Sequence, residues 1–206
     1  MFNKEVLTAQ NVLQSIKAAG HKAFEGETPY DLNLFGVRSN SSLTNIFNDL
    51  VGCVYRDESL EWQIECWRAT TDPGLYWLQN PGRVAGTAIL IPGQYRNVYK
   101  IDKHSGKYDA LCQRNGDVSV WRDADRDNLL DPDKSKVYTG RFGINIHHAS
   151  YTGTSTKVNK WSAGCQVIAN IEHFNRMMEL ARLQIKHHPT WTKFTYTLLT
   201  EDQVIT

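Results

Sequence analysis

Residues Val84–Arg122 read VAGTAILIPGQYRNVYKIDKHSGKYDALCQRNGDVSVWR, and the fold class turns on how this stretch is parsed. Val84–Ile91, Asn97–Ile101, Tyr108–Gln113 and Val118–Arg122 are short runs rich in β-branched and aromatic residues, the composition of strands. Turn chemistry separates them at Pro92-Gly93 and Asn115-Gly116-Asp117. The same grammar extends upstream through Asp31–Val37, Val51–Arg56 and Glu61–Ala69, punctuated by Asp72-Pro73-Gly74 and Asn80-Pro81-Gly82. Downstream it continues through Phe142–His148, Gln166–Ala169 and Lys193–Leu199. Many short strands with Gly/Pro turns predict a mainly β fold, a β-sandwich or barrel-like core. A helix is expected at each flank. In the first, Val6, Val12, Leu13 and Ile16 share a face and Gly20 ends it; in the second, Ile171, Phe174, Met178, Ala181 and Ile185 do so before Pro189. The chain thus divides into an N-terminal helical segment, 1–28, and one β-rich domain, 29–206, that closes with a helix and a strand.

Composition bounds the function. The 206 residues carry a net charge of +1, with 41% hydrophobic and 22% charged side chains, the profile of an ordinary globular chain with a core of its own. That balance argues against a dedicated nucleic-acid binder. No run approaches the ~18–20 apolar residues of a membrane span. The N-terminus lacks a secretory signal, so synthesis in the cytoplasm is expected. Cys53, Cys66, Cys112 and Cys165 have no CxxC spacing, which speaks against a zinc ribbon and for free thiols.

One of those thiols stands in a reactive context. Gly140–Asn170 reads GRFGINIHHASYTGTSTKVNKWSAGCQVIAN: a strand ending in Ile146-His147-His148, a polar loop, then a return through Trp161-Ser162-Ala163-Gly164-Cys165. Such a return can bring an imidazole to a thiol, and an imidazole is what turns a mostly protonated thiol into a nucleophile. Ala163-Gly164 permits a tight turn whose N–H groups face a developing oxyanion. Trp161 is the aromatic placed to line a cleft. The alternative for Cys165 is a small buried hydrophobe, and for His147 a satisfied polar group.

Ile146-His147, fourteen residues and then Ser162-Ala163-Gly164-Cys165 resembles the signature of the L,D-transpeptidase (YkuD-like) catalytic domain. The stretch Thr87–Tyr95 and the approach strand Phe142–His147 resemble other parts of it, so the likeness covers roughly 89–169. It implies an L,D-transpeptidase-type β fold, with Cys165 as nucleophile and His147 as base. Gly164 and Cys165 N–H groups would form the oxyanion hole, and the Ser162 carbonyl would orient the histidine. It further implies peptidoglycan stem peptides as substrate, cut after the L-centre of the third residue through a thioester, with Tyr95, Arg141, His148 and Trp161 on the substrate side. His148 has a second reading, as an outward-facing strand residue. Two positions depart from the family: its Ser-His-Gly-Cys histidine is Ala163, and its arginine two residues after the cysteine is Val167. Arg141 is the candidate for the missing charge. These departures favour a hydrolase, an L,D-carboxypeptidase or L,D-endopeptidase, over a transpeptidase making 3–3 cross-links. A catalytically silent wall-binding or virion module is the third reading. A phage lysis enzyme (endolysin) or a delivered toxin would reach the wall without a signal. No cofactor is needed for that catalysis, and a monomer is expected.

A second pattern lies in Arg122–Asp133, RDADRDNLLDPD. Asp123, Asp125 and Asp127 alternate, Asp131 follows, and the Leu129 carbonyl can join them, a hard-oxygen set of the kind calcium takes. Asn128 stands where such loops turn sharply. Two readings remain open: a structural calcium site, or a solvated turn neutralised by Arg122 and Arg126. Zinc at the histidines is disfavoured, because adjacent strand residues face opposite ways. Trp62, Trp67, Tyr76 and Trp77 fit the interior and rim of a β core, with a glycan-binding platform as the alternative; His104 fits a loop, with a substrate contact as the alternative, and His187-His188 a helix C-terminus.

Overall fold

Strand alternation in this chain serves two cores at once. The computed structural model describes residues 7–41 and 43–205, so Val6 of the predicted first helix lies outside the described residues. In β1 (Asn33–Arg38), Leu34 enters one cluster while Phe35 and Val37 enter another. In β2 (Asp49–Arg56), Val51, Cys53 and Tyr55 go one way, Leu50 and Val54 the other. Strands buried on both faces need a covering layer on each. Helix α1 (Ala9–Ala18) supplies the outer one through Val12, Leu13 and Ile16, and the Thr8 side chain caps its start by accepting from the Asn11 N–H.

Six more strands complete the inner layer: β3 (Trp62–Thr70), β5 (Gly93–His104), β6 (Tyr108–Gln113), β9 (Ile146–His148), β10 (Gln166–Ile168) and β11 (Phe194–Thr200). They close a barrel in the order β1-β11-β5-β6-β9-β10-β3-β2. Among the described residues, only β1/β11 and β9/β10 pair in parallel. A second sheet, β4-β7-β8, is formed by Thr87–Leu90, Val118–Asp123 and Tyr138–Gly140. Helix α3 (Ile171–His187) does not merely flank the sheet. Its Phe174, Met177, Met178, Leu180 and Ala181 belong to the same cluster as barrel residues such as Leu34, Leu111 and Ile146. Asn170 caps it, accepting from the Glu172 and His173 N–H groups. The mainly β class with helices is therefore what the chain adopts.

Local differences from the sequence reading have local causes. Val84 is 97% exposed, and the strand begins only at Thr87. Short α2 (Leu75–Gln79) and the exposed strand β8 carry too little periodicity to be read in advance. Residues 142–144, read as strand, are irregular because a side chain takes the place of a neighbouring strand. Gln113 Oε1 accepts from the Phe142, Gly143 and Ile144 N–H groups at 3.1, 2.9 and 3.0 Å. Among the described residues no helix is long and apolar enough to cross a membrane, and Cys53, Cys112 and Cys165 form no disulfide.

The barrel is joined to the second sheet by a buried guanidinium. Arg38 Nε lies 2.9 Å from an Asp72 carboxylate oxygen, Nη2 donates to the Thr71 carbonyl and Nη1 to Leu90 O of β4. Beside it, Asp49 accepts from the Ser39 N–H, the Thr71 N–H and the Thr71 hydroxyl. Burial, then the Asp72 carboxylate, pushes Asp49 up to about 7, against ~3.9 for an unfolded aspartate. Between those values the native state holds a proton that the unfolded chain has lost, so stability falls as pH rises through this window. The unfolding free energy measured by urea titration from pH 5 to 8 is expected to decline in the wild type, by ~1.4 kcal/mol per pH unit at most. In Asp49→Asn the decline should flatten.

Candidate active site

The register of four adjacent strands assembles the candidate site. His104 pairs with Tyr108 across β5/β6, Leu111 with Ile146 across β6/β9, and Val167 with His147 across β9/β10. Alternation sends Ile146 and Ile168 to the barrel core and the odd-numbered neighbours Asn145, His147, Cys165 and Val167 to the opposite face. His104 and His147 stack with ring centroids 4.1 Å apart, and Tyr108 Oη lies 3.4 Å from His147 Nδ1. The Asn145 amide donates to His104 Nδ1 at 3.0 Å. His104 thus belongs to the site, though its sequence context suggested a loop.

Cys165 enters this face from a strained turn. Gly164 has φ +116°, and a Cβ there would run into the Ala88 carbonyl of β4, so only glycine fits. The Ser162 hydroxyl donates to the Cys165 carbonyl at 2.8 Å and accepts the Gly164 N–H at 3.1 Å. The Ser162 carbonyl accepts from the Gly74 N–H. Two expected roles change accordingly. Ser162 shapes the turn while His147 Nδ1 is held by the His148 carbonyl at 2.7 Å. The Gly164 N–H is engaged by Ser162, whereas the Cys165 N–H makes no hydrogen bond among the described residues.

The thiol and imidazole share a face without touching. Cys165 Sγ donates to Gly143 O and accepts from the Asn145 N–H, both at 3.4 Å. A carbonyl only accepts, so His147 Nδ1 carries the proton and Nε2 holds the basic lone pair. Burial, followed by the His104 ring, pushes His147 down to about 3. Burial pushes Cys165 up to about 11. The resting pair is neutral thiol and neutral imidazole.

The substrate-side expectations fare differently. Trp161 is 40% exposed and lines an open groove with Tyr76, Leu75 and Lys160, so Tyr76 stands at the rim, not in the interior. Tyr95 is buried and its hydroxyl donates to Ile91 O and Ser119 O, a structural tie between β5 and the second sheet. His148 faces α3, packed among Tyr108, Tyr151 and Phe174. Arg141 is exposed and pairs only loosely, at 3.8 Å, with Asp117. The cations beside the cysteine turn are instead Arg83 and Arg122, which with Trp77, Phe142 and Ala163 line a cavity of 190 Å³. Val167 is fully buried against Phe47 and Val158, so its position does not face a ligand.

In the acidic loop, Asp123, Asp125 and Asp131 converge, each with a carboxylate oxygen within 4.8 Å of the others. Asp127 is not in that group; its carboxylate accepts from the Leu129 N–H at 2.6 Å. Arg126, with φ +67°, makes the left-handed turn expected of Asn128. Asn128 is engaged by Thr44 and Gln79. Comparison with family models, curated proteins and solved structures found no match to this chain.

Gln113→Leu is expected to leave three backbone donors of residues 142–144 unpaired, at about 1–3 kcal/mol each. Urea unfolding should therefore show a loss of about 3 kcal/mol or more. The raised Cys165 pKa predicts slow alkylation by iodoacetamide at pH 7 and a rate still climbing above pH 9. Peptide mapping of the labelled cysteine checks this, and a plateau near pH 7 would contradict it.

Proposed function

We propose that this chain is a cysteine-dependent L,D-peptidase that hydrolyses peptidoglycan stem peptides at the cell wall. One observation supports the chemistry: β9 and β10 pair in parallel, so that the Cys165 thiol, just before β10, lies against the Asn145 N–H two residues before His147, after a left-handed Gly164. The substrate class rests on the resemblance of Ile146-His147 and Ser162-Ala163-Gly164-Cys165 to L,D-transpeptidase catalytic domains.

In this reading the thiol leaves Gly143 O as substrate enters, and Sγ bonds to the carbonyl carbon while its proton passes to His147 Nε2. The Cys165 N–H donates to the oxyanion. His147 then returns the proton to the departing amine, the C–N bond breaks, and a thioester remains. Water, deprotonated by the same imidazole, adds to the thioester, and the thiol leaves with that proton. Because neither partner is charged at rest, proton transfer accompanies attack and no preformed ion pair is required. His104 and Asn145 hold the imidazole face.

A second reading, a wall-binding module without turnover, is favoured by the thiol's bond to Gly143 O instead of to His147. Mass spectrometry of purified sacculi and defined muropeptides separates the two. Loss of terminal D-Ala or of cross-linked dimers with wild type, abolished in Cys165→Ala and in His147→Ala, is expected. New 3–3 dimers would make the enzyme a transpeptidase. Unchanged muropeptides under reducing conditions would leave the binding module.

A further inference from the structure

The loop between β7 and β8 begins at Asp123, the last residue of β7, in register with Thr87 of β4. Asp123 is 2% exposed, and its Oδ1 is buried with no hydrogen-bond partner among the described residues. Its carboxylate converges with those of Asp125 and Asp131, which are exposed. None of the ion pairs among the described residues reaches Asp123, Asp125, Asp127 or Asp131.

The basic side chains that were candidates to neutralise this loop do not do so. Arg122 donates to Gly86 O and lies over the Tyr138 and Phe142 rings. Lys134 lies over Trp121, and Arg126 enters no ion pair among the described residues. A buried carboxylate oxygen without donor or counter-charge is costly, and convergence with two more carboxylates adds repulsion. A bound cation removes both penalties. Each of the three carboxylates brings an oxygen to the cluster, the hard donor that calcium takes, whereas zinc prefers nitrogen and sulfur.

We propose that Asp123, Asp125 and Asp131 form a binding site for a hard divalent cation of the calcium class. The site stands on the rim of the second sheet and is independent of the peptidase reading. Bound metal fixes the β7–β8 loop against β4, since one ligand belongs to the sheet and two to the loop.

Terbium provides a direct probe, because Trp121 lies two residues before Asp123 on β7, about 7 Å along the strand, close enough to sensitise its emission. The full chain is titrated with Tb³⁺ under tryptophan excitation, then with Ca²⁺ or Mg²⁺ as competitor. Saturable emission displaced by Ca²⁺ is expected. In Asp125→Asn with Asp131→Asn, both exposed positions, apparent affinity should fall about tenfold or more. Circular dichroism of that metal-free variant should match the wild type. In a separate measurement, millimolar Ca²⁺ should raise the melting temperature of the wild type and not of the variant. Superimposable Tb³⁺ curves for the two proteins, absence of saturable emission, Mg²⁺ competing as well as Ca²⁺, or no Ca²⁺-dependent rise in melting temperature would each overturn the proposal.

Discussion

A guanidinium taken out of water must have every donor answered, and around Arg38 that requirement organises the chain. Its partners come from the turn after β3 and from β4, so satisfying it pins the barrel to the second sheet. Asp49 fastens the same turn from β2. From there the covalent chain runs three residues to Gly74, whose N–H donates to the Ser162 carbonyl. The cysteine turn is thereby referenced to the buried charge, although no charged group touches the thiol.

That separation explains the electrostatics of the site. The Cys165 thiol and the His147 ring are bonded to neutral backbone groups, Gly143 O and the Asn145 N–H for the thiol and His148 O for the ring. Burial therefore dominates every shift there, raising the thiol and lowering the imidazoles. Selectivity between proton donor and acceptor comes from hydrogen bonds to backbone carbonyls, His148 O for the imidazole and Gly143 O for the thiol. The Gly143 N–H is itself bound by Gln113, which replaces a missing strand neighbour with one side-chain oxygen. A single amide thus positions the segment from which the thiol hangs.

The strand grammar was legible because alternation and Gly/Pro turns are local properties. Tyr108–Gln113 is a strand with the predicted bounds, and the others shift by a few residues at their ends. The exceptions are informative. Residues 142–144 have strand composition, yet Gln113, distant in sequence, claims their N–H groups. Tyr95 and Arg141 could be nominated for substrate from the family resemblance, but where a hydroxyl or guanidinium points depends on packing that no local pattern encodes. His104 shows the converse: nothing around it in sequence marks it, and strand register alone brings it onto His147.

By itself, then, the sequence determined a mainly β chain with amphipathic helices, free thiols, and two clusters of chemistry at His147/Cys165 and Asp123–Asp131. These follow from periodicity, turn propensity and short-range spacing, which act over a few residues. Only the tertiary structure decided that the barrel closes with β9 parallel to β10, that His148 faces α3 while His147 stacks on His104, and that three of the four aspartates converge. Those outcomes depend on which strands pair and which polar groups find partners on burial, and both are settled between residues far apart in the chain.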